Sequence, residues 1–322
     1  MVFIGIDVGG TKIACGVTDE EGVILSRVST GTLAHRPFAA VVRDMADAAL
    51  EALAQSGHEI ADVGAVGVGI PGVAENVNGT VIFCTNLGWE NVPLRRELNR
   101  YIDKPVFIDN DATLAGLAES VAGVSRGAAS SVFITLGTGV GGGIILNGRP
   151  WAGAQGAASE LGHMTLCIDG VPCSCGKKGC LERYCSATAL IRMGREAAAE
   201  HPDSLILTMA GGEPDNINGK IVVDAARQGD PAALSVFDRY TTYLALAVNN
   251  VVTFLDPEVI VLGGGVSQAG AFLADAVREK VPGLLLFKAL SFGRLELAVL
   301  GNEAGIIGAA MLGRLMRGGE TL

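Results

Sequence analysis

Two stretches of the sequence, Phe3-Ile4-Gly5-Ile6-Asp7-Val8-Gly9-Gly10 and Phe133-Ile134-Thr135-Leu136-Gly137-Thr138-Gly139, follow one pattern about 130 residues apart. In both, an apolar strand runs into a glycine turn and a second apolar strand follows, at 12–18 and at 144–146. We interpret them as one β-hairpin unit used twice, a weak internal duplication; a chance likeness of two glycine turns is the alternative. Two similar α/β halves would enclose a cleft, where ligands often bind.

The composition is that of a folded protein with a large core. Of the 322 residues, 49% are hydrophobic, and the length suggests about two domains. The 34 acidic residues outnumber the 24 basic ones, so a surface for the nucleic-acid backbone is not expected. We expect no membrane span, because polar residues break every stretch of about 20 residues, and no signal peptide, because the first residues are not basic. The protein is therefore predicted to be cytoplasmic.

Apolar residues alternate along the chain between strand and helix periods, which is typical of an α/β fold. Asp230-Pro231 is a typical helix start, and the long helix that it opens has to end by Asp256-Pro257. The other predicted elements are helices at 37–56, 92–102, 112 onward, 268–280 and 303–317 and strands at 23–29, 63–70, 106–108 and 259–262.

Three glycine-rich loops are candidates for binding phosphates, at 7–12, 137–143 and 263–265. Glycine lets backbone N–H groups approach phosphate oxygens closely, although each loop taken singly is also explained as a tight turn. None has the spacing of a Walker A loop. Because Thr138 already has a branched side chain, we expect the closest approach to phosphate at Gly137, Gly139 or Gly264.

The first loop also has side chains suited to a nucleotide. Thr11 offers a hydroxyl donor, Lys12 a counter-charge, and Asp7 a carboxylate that could hold Mg²⁺ through water. Gly9 and Gly10 supply the flexible backbone of the turn.

Gly67, Gly69 and Gly72 match the dinucleotide fingerprint G-x-G-x-x-G, but the match is misleading. That fingerprint requires a helix to open at the glycines, whereas Pro71 and the polar residues that follow predict a turn. A nicotinamide-dependent oxidoreductase is therefore disfavoured.

The strand at 106–108 ends at Asp109-Asn110-Asp111, just before a helix. The simplest interpretation is that Asp111 caps this helix. A carboxylate at a helix N-terminus also stays ionised, which suits a base that deprotonates an alcohol. On the residues alone, Asp109 is the rival candidate for that base.

A metal site is the sharpest signal in the sequence. His163, in Glu160-Leu161-Gly162-His163, and the cysteines at 173, 175 and 180 make a Cys₃His set suited to tetrahedral zinc. Four protein ligands would close the site, so the zinc would be structural, and it could hold Glu160 and Glu182 in place. Cys185 could be a fifth thiol, but it is expected in the core. Reduced cysteines in a surface loop are the alternative.

Together these motifs resemble those of the ROK family (repressor, open reading frame, kinase) over nearly the whole chain. The resembling motifs are Asp7-x-Gly9-Gly10-Thr11-Lys12, Asn110-Asp111, Glu160-x-x-His163 and Cys173-x-Cys175-x₄-Cys180-x-Glu182. The resemblance implies the actin-like, sugar-kinase fold, with two α/β domains around a central cleft. We place the domains at 1–111, joined by the C-terminal helix at 302–322, and at 112–301.

The resemblance also implies roles for residues. Asp111 would be the general base that takes the proton of a sugar 6-hydroxyl, and the glycine loops would hold MgATP. The residues implied for sugar binding are Gly72, Thr85, Asn110, Asp111, Glu160, His163 and Glu182. His163 would serve both sugar and zinc.

The implied activity is ATP-dependent phosphorylation of a hexose. Asn86-Leu87-Gly88-Trp89 resembles the family members that phosphorylate glucose, which favours glucose over N-acetylmannosamine, N-acetylglucosamine or allose. Polyphosphate or ADP as donor stays open. The family also includes sugar-responsive repressors, but the phosphate motif begins at Asp7, so we expect no helix-turn-helix domain before it. A homodimer or homotetramer is the family expectation.

Overall fold

The computed structural model describes residues 1–75, 78–154 and 156–318, which divide into two compact units. The first unit comprises Met1–Phe133, Gly143–Ser159 and 299–318. The second comprises Ile134–Gly142 and Glu160–Ala298. None of the helices in the described part of the chain is long and apolar enough to cross a bilayer.

The first unit is built on a five-stranded sheet with the order β3-β2-β1-β4-β8. Strands β1 and β2 are antiparallel, whereas β1, β4 and β8 run parallel. Their register aligns Asp7, Gly69 and Asp109 at the carboxyl ends of three neighbouring strands. The strands are β1 (Val2–Val8), β2 (Lys12–Thr18), β3 (Ile24–Gly31), β4 (Val63–Ile70) and β8 (Val106–Asn110).

Helices cover both faces of this sheet. Helix α1 (Phe38–Gln55) packs its apolar side on the face that carries Ile4 and Ile6. The other face carries helices α3 (Asp111–Ala122) and α10 (Ala304–Arg317). A Cβ at Gly67 would overlap the carbonyl oxygen of Ala309 in α10, so this glycine lets the helix backbone lie directly on the strand.

That contact explains the misleading fingerprint. Gly67 and Gly69 lie within β4, no helix opens after them, and the chain turns at Pro71-Gly72 as predicted. The turn leads into a small sheet of order β5-β6-β7, followed by the short helix α2. These elements are β5 (Val73–Glu75), β6 (Thr80–Cys84), β7 (Trp89–Val92) and α2 (Leu94–Leu98).

A second five-stranded sheet has the order β11-β10-β9-β12-β13. Its strands β9 and β10 repeat the lengths of β1 and β2, with a three-residue turn in both cases, so the same strand–turn–strand pattern occurs twice. That the two copies arose by internal duplication stays a prediction. The strands are β9 (Ser130–Leu136), β10 (Val140–Leu146), β11 (Arg149–Pro150), β12 (Val259–Gly263) and β13 (Arg294–Leu297).

The helices of the second unit include α8, which begins after the Asp230 cap and ends before Asp256, as predicted. They are α4 (Glu182–Cys185), α5 (Ala187–Glu200), α6 (Leu205–Met209), α7 (Gly219–Arg227), α8 (Pro231–Leu255) and α9 (Ala271–Leu284).

Two predicted helix limits differ from the structure. The helix predicted at 92–102 is the shorter α2, and the helix predicted at 268–280 begins only after Gly270, whose φ of +63° interrupts the chain direction. Helix α3 groups with the first unit, because Gly308 lets α10 pack against the backbone of Leu114. The domain limits 1–111 and 112–301 stay a prediction, and residues 319–322 of the helix predicted at 302–322 lie outside the described residues.

Candidate active site

The first candidate loop follows β1 and is held by its neighbours. Gly9 donates its N–H to the carbonyl of Lys12 at 2.8 Å and accepts the hydroxyl of Thr32 at 2.7 Å. The N–H of Thr32 donates to the carbonyl of Thr11 at 3.0 Å. Gly10 lies beside Asn86. The turn is therefore fixed, while the side chains of Thr11 and Lys12 are exposed.

Asp7 lies at the end of β1 against the first turn of α10. A Cβ on Gly305 would overlap its carboxylate, so the helix start leaves space only for glycine there. Burial raises the pKa of the Asp7 carboxyl, and the charge of Lys12 opposes that rise in part. The helix N-terminus beside it favours a negative charge.

Asn110 and Asp111 mark the passage from β8 to α3. The side-chain oxygen of Asn110 accepts from the N–H groups of Ala112 at 2.9 Å and Thr113 at 3.2 Å, so Asn110 is the helix cap. The prediction that Asp111 is the cap is wrong, because the helix starts one residue earlier than expected. Asp111 is the first helical residue, where the helix dipole stabilises its ionised form.

The capping side chain also gathers other predicted sugar residues. Its amide nitrogen donates to the carbonyl of Gly72 at 3.1 Å. Pairing of Val73 with Phe83 places the turn at Gly72 beside the end of β6, where Thr85 follows. The first unit therefore brings Gly72, Thr85, Asn110 and Asp111 into one neighbourhood.

Asp109 differs sharply from Asp111. Burial raises the pKa of the Asp109 carboxyl to about 6. One oxygen accepts the N–H of Asn110 at 2.7 Å, and the other, Oδ2, has no partner among the described residues. Asp109 points to the sheet face shared with Gly69 and Asp7, whereas its neighbour Asn110 caps α3.

The second candidate loop belongs to the second unit. The first turn of α5 holds it, since the N–H of Ala187 donates to the carbonyl of Gly137 at 2.7 Å and the hydroxyl of Thr188 donates to that of Thr138 at 2.8 Å. Glu182 accepts the N–H of Val140 at 3.1 Å. The loop and the carboxylate of Glu182 are therefore held together by a direct hydrogen bond.

Two of the three glycines expected to approach phosphate are required by the fold itself. A Cβ at Gly139 would overlap the Glu182 carboxylate. Gly264 has a φ of +82°, and its Cβ would lie 2.6 Å from the backbone nitrogen of Leu136. At Gly137 the nearest atom to an added Cβ is 3.9 Å away. Of these three positions, packing within the protein explains the glycine at 139 and at 264 but not the glycine at 137.

His163 and three cysteines meet in the second unit. Their ligand atoms all lie within 4.8 Å of one another, with Sγ of Cys173 3.7 Å from Nδ1 of His163 and Sγ of Cys175 3.6 Å from Sγ of Cys180. Ligands at about 2.0–2.3 Å around a tetrahedral ion are roughly 3.5–3.8 Å apart. The four residues could therefore hold a metal ion.

Cys180 is a buried thiol, and the segment around the cluster is folded. Burial raises the pKa of the Cys180 thiol to about 12, so its thiolate needs a positive charge beside it. Isolated antiparallel β-bridges between Thr165 and Cys180 and between Pro172 and Lys178 hold the segment that carries the cysteines in a folded conformation. Cys185 is fully buried, as expected for a core residue.

One cavity next to the glycine loops was not predicted. It has a volume of about 380 Å³, lies within the second unit, and borders Gly265, the residue after Gly264. Residues of α5, α7 and the turn after β12 line the cavity. Because these segments are far apart in the sequence, no local sequence pattern predicts the cavity. The lining includes Ala187, Leu190, Asn218, Val223, Arg227 and Gly265.

Comparisons with known proteins agree over nearly the whole chain. The ROK family model matches residues 3–315. The glucokinase of Thermotoga maritima is 39% identical over 311 residues, 96% of each chain. The structure of a ROK family glucokinase from Streptomyces griseus, in complex with glucose and AMPPNP, is 36% identical with a TM-score of 0.82, over 98% of this chain and 100% of that one. The ROK hexokinase of Thermus thermophilus has a TM-score of 0.86 at 34% identity, over 99% and 100%.

The state of Asp109 is testable by the pH dependence of stability. Because its pKa is higher in the folded chain than the ordinary 3.8, the folded state binds more protons between pH 4 and 6. Asp109 therefore lowers the free energy of unfolding as the pH rises through this range, by about 3 kcal/mol in all. Asp109→Asn removes this effect, so urea unfolding from pH 4 to 8 should show the variant gaining on the wild type up to about pH 6. A difference that does not vary with pH would contradict a buried, ionising Asp109.

Proposed function

The chain belongs to the ROK family and has the actin-like sugar-kinase fold, and on that premise we propose that it transfers the γ-phosphoryl group of ATP to the 6-hydroxyl of glucose. The likeness over 98% of the chain to an enzyme that binds glucose and AMPPNP carries this proposal. A coupled assay with MgATP across hexoses and N-acetylhexosamines tests it, with glucose expected to have the highest kcat/KM. The homodimer or homotetramer and the cytoplasmic location stay predictions.

In the first unit, Asp111 is the proposed general base. Phosphoryl transfer needs little covalent help from the protein; it needs positioning, neutralisation of charge and an acceptor for the hydroxyl proton. The place of Asp111 in the first turn of α3 supports the role, since an ionised carboxylate is required. Asn110 donates one amide N–H to Gly72, and an amide has two, so the second can serve a sugar hydroxyl.

In the second unit, Glu160, His163 and Glu182 are proposed to hold the other sugar hydroxyls. Glu182 uses one oxygen to accept the N–H of Val140, which leaves Oε1 for the sugar. In His163 the Nδ1 atom faces the cysteines, which leaves Nε2. One side chain can therefore serve both a metal ion and a substrate.

We propose that the nucleotide phosphates bind the loops with Gly9, Gly10, Thr11 and Lys12 and with Gly137 and Thr138. The nucleoside then occupies the cavity beside Gly265. The fold also requires glycine at Gly139 and Gly264, and the approach of their backbone to phosphate stays a prediction. Bound Mg²⁺ would neutralise phosphate charge, with Asp7 as its carboxylate through water.

The metal ion in the cysteine cluster is proposed to be structural zinc. Three thiolates and one imidazole nitrogen are a common set for zinc, and no position is left for a reacting water. The ion stabilises a segment that has short bridges but few apolar residues.

The base is tested with a matched pair of neighbouring carboxylates. Asp111→Asn keeps the size of the side chain but removes the base, so kcat should fall about 10²- to 10⁴-fold while sugar binding and Tm stay close to wild type. Asp109→Asn is the control and should keep most of the activity. If Asp109→Asn is the variant that loses turnover, the assignment of the base is wrong.

The nucleotide loop is tested by comparing two glycines. Gly137→Val places a branched side chain where the fold leaves space, so it should weaken MgATP binding at least about tenfold and leave sugar binding intact. Gly139→Val should instead weaken sugar binding as well, because it displaces Glu182. Calorimetry with ATP and with glucose separates the two effects. Unchanged ATP affinity in Gly137→Val would mean that this loop is only a turn.

Zinc is tested by elemental analysis of the purified protein, with about one ion per chain expected. Cys175→Ser should lose the ion and sugar phosphorylation, since displacement by about 1 Å near the reacting atoms can cost about 10²-fold in rate. ATP affinity should change little. The control is Cys84→Ser, a cysteine outside the cluster, which should keep its zinc. A metal-free wild type with full activity would refute the zinc proposal.

A further inference from the structure

The cavity beside Gly265 combines apolar side chains with a small number of polar ones. Its volume of about 380 Å³ falls in the range of roughly 300–1,000 Å³ that is usual for small-molecule sites. Leu190, Val223 and Val266 provide apolar side chains against which a flat ring can pack. Because apolar contact is not directional, the polar side chains of the lining decide which atoms of a ligand are recognised there.

The charged side chains of the lining are engaged with one another and with their surroundings. Asp224 forms ion pairs with Lys220 and with Arg227, the second at 3.3 Å. Arg227 also donates to the carbonyl of Ala269 at 2.5 Å, and its guanidinium lies over the ring of Phe272, 5.5 Å from the centroid. Their charges are therefore compensated in large part within the protein, and a directional contact with a ligand falls to the neutral amide side chains of the lining.

Asn218 is one of two amide side chains in the lining, and its orientation is fixed. It caps α7, because its Oδ1 atom accepts the N–H of Ile221 at 3.0 Å. A backbone N–H can pair only with the oxygen end of an amide, so the nitrogen end, Nδ2, stays available to a ligand. Nδ2 has no hydrogen-bond partner among the described residues. The other amide, that of Gln268, is exposed and has no contact in the described chain that would fix its orientation.

The helix cap alone does not account for the amide of Asn218. Aspartate and serine cap helices about as well as asparagine does, and aspartate would also gain from the helix dipole. Neither of them offers an NH₂ group. What distinguishes Asn218 from these alternatives is a pair of donors at the cavity, and no acceptor in the described part of the chain uses them.

We propose that Asn218 determines nucleotide specificity, and that its Nδ2 atom donates a hydrogen bond to an acceptor atom of the nucleoside bound in the cavity. The ring nitrogens of a purine and the oxygens of a ribose are such acceptors. Because the cap holds the amide before the ligand arrives, the contact costs little side-chain entropy. The inference rests on the proposed function, since it adds a residue to the cavity that is proposed to hold the nucleoside.

Two substitutions remove the donor and keep the cap. In Asn218→Asp a carboxylate replaces the amide, so the KM for ATP should rise at least about tenfold, because an acceptor then faces an acceptor. Asn218→Ser removes the amide without adding a charge and should raise this KM about 3- to 10-fold. In both variants the KM for glucose and Tm should stay close to wild type.

Asn216→Asp is the matched control. It adds the same negative charge two residues earlier, at an exposed asparagine outside the lining of the cavity. Because exposed charges are screened, its KM for ATP should change less than about twofold. If Asn216→Asp weakens ATP binding as much as Asn218→Asp does, and Asn218→Ser does not weaken it, charge alone explains the loss and the inference is wrong.

Analogues of ATP identify the acceptor atom. Each deaza analogue lacks one ring nitrogen, and each deoxy analogue lacks one ribose hydroxyl. The analogue without the contacted acceptor should bind the wild type about 3- to 10-fold less well than ATP does, but Asn218→Ser should lose no further affinity for it. If the wild type phosphorylates glucose with ATP and both Asn218 variants keep its KM, the inference is wrong and the proposed function stands. If calorimetry shows that the wild type binds no MgATP, both fail together.

Discussion

The close contact between α10 and the first sheet is the constraint on which the first half of the site depends. At Gly67 the strand has no side chain, so the helix lies against the strand backbone and its position is set by main-chain atoms. The start of the same helix then meets Asp7 at Gly305. Glycine loses more conformational entropy on folding than other residues do. Here, however, the close packing that the glycines allow fixes the position of the helix terminus relative to the carboxylate. A side chain at Gly67 would move the environment of Asp7.

The second unit positions its groups by a different means. Glu182 is bonded to the loop at Val140, and Gly139 leaves space for its carboxylate. His163 and three cysteines converge so that their ligand atoms lie within 4.8 Å of one another. A metal ion bonded to these four side chains, as proposed, would supply the stiffness that apolar packing gives elsewhere. The first unit therefore reaches its geometry by main-chain packing, and under the zinc proposal the second unit would reach its geometry by metal–ligand bonds.

The sequence predicts the parts of the site that depend on residue type and spacing. Cysteine spacing alone indicates the metal cluster, and the repeated glycine turn indicates the two hairpins. Contacts between segments that are distant in the sequence cannot be predicted from residue type and spacing. The reason for glycine at 139 is the carboxylate of Glu182, 43 positions later, and no local pattern reveals it. The cap at Asn110 was misplaced by one residue because asparagine and aspartate both cap helices well.

The packing of α10 on β1 has a consequence for the order of synthesis. Contacts between these two elements join residues about 300 positions apart, and such pairing is slow to form. At about 5–20 residues per second, the ribosome needs roughly 15–60 s after β1 to deliver α10. During that time Phe3 and Ala65 lack the helix that buries them, and even the whole second unit up to Ala298 is synthesised before that helix. The nascent chain therefore exposes an apolar sheet face to the cell for most of its synthesis, and chaperone binding is expected to concentrate on that N-terminal face.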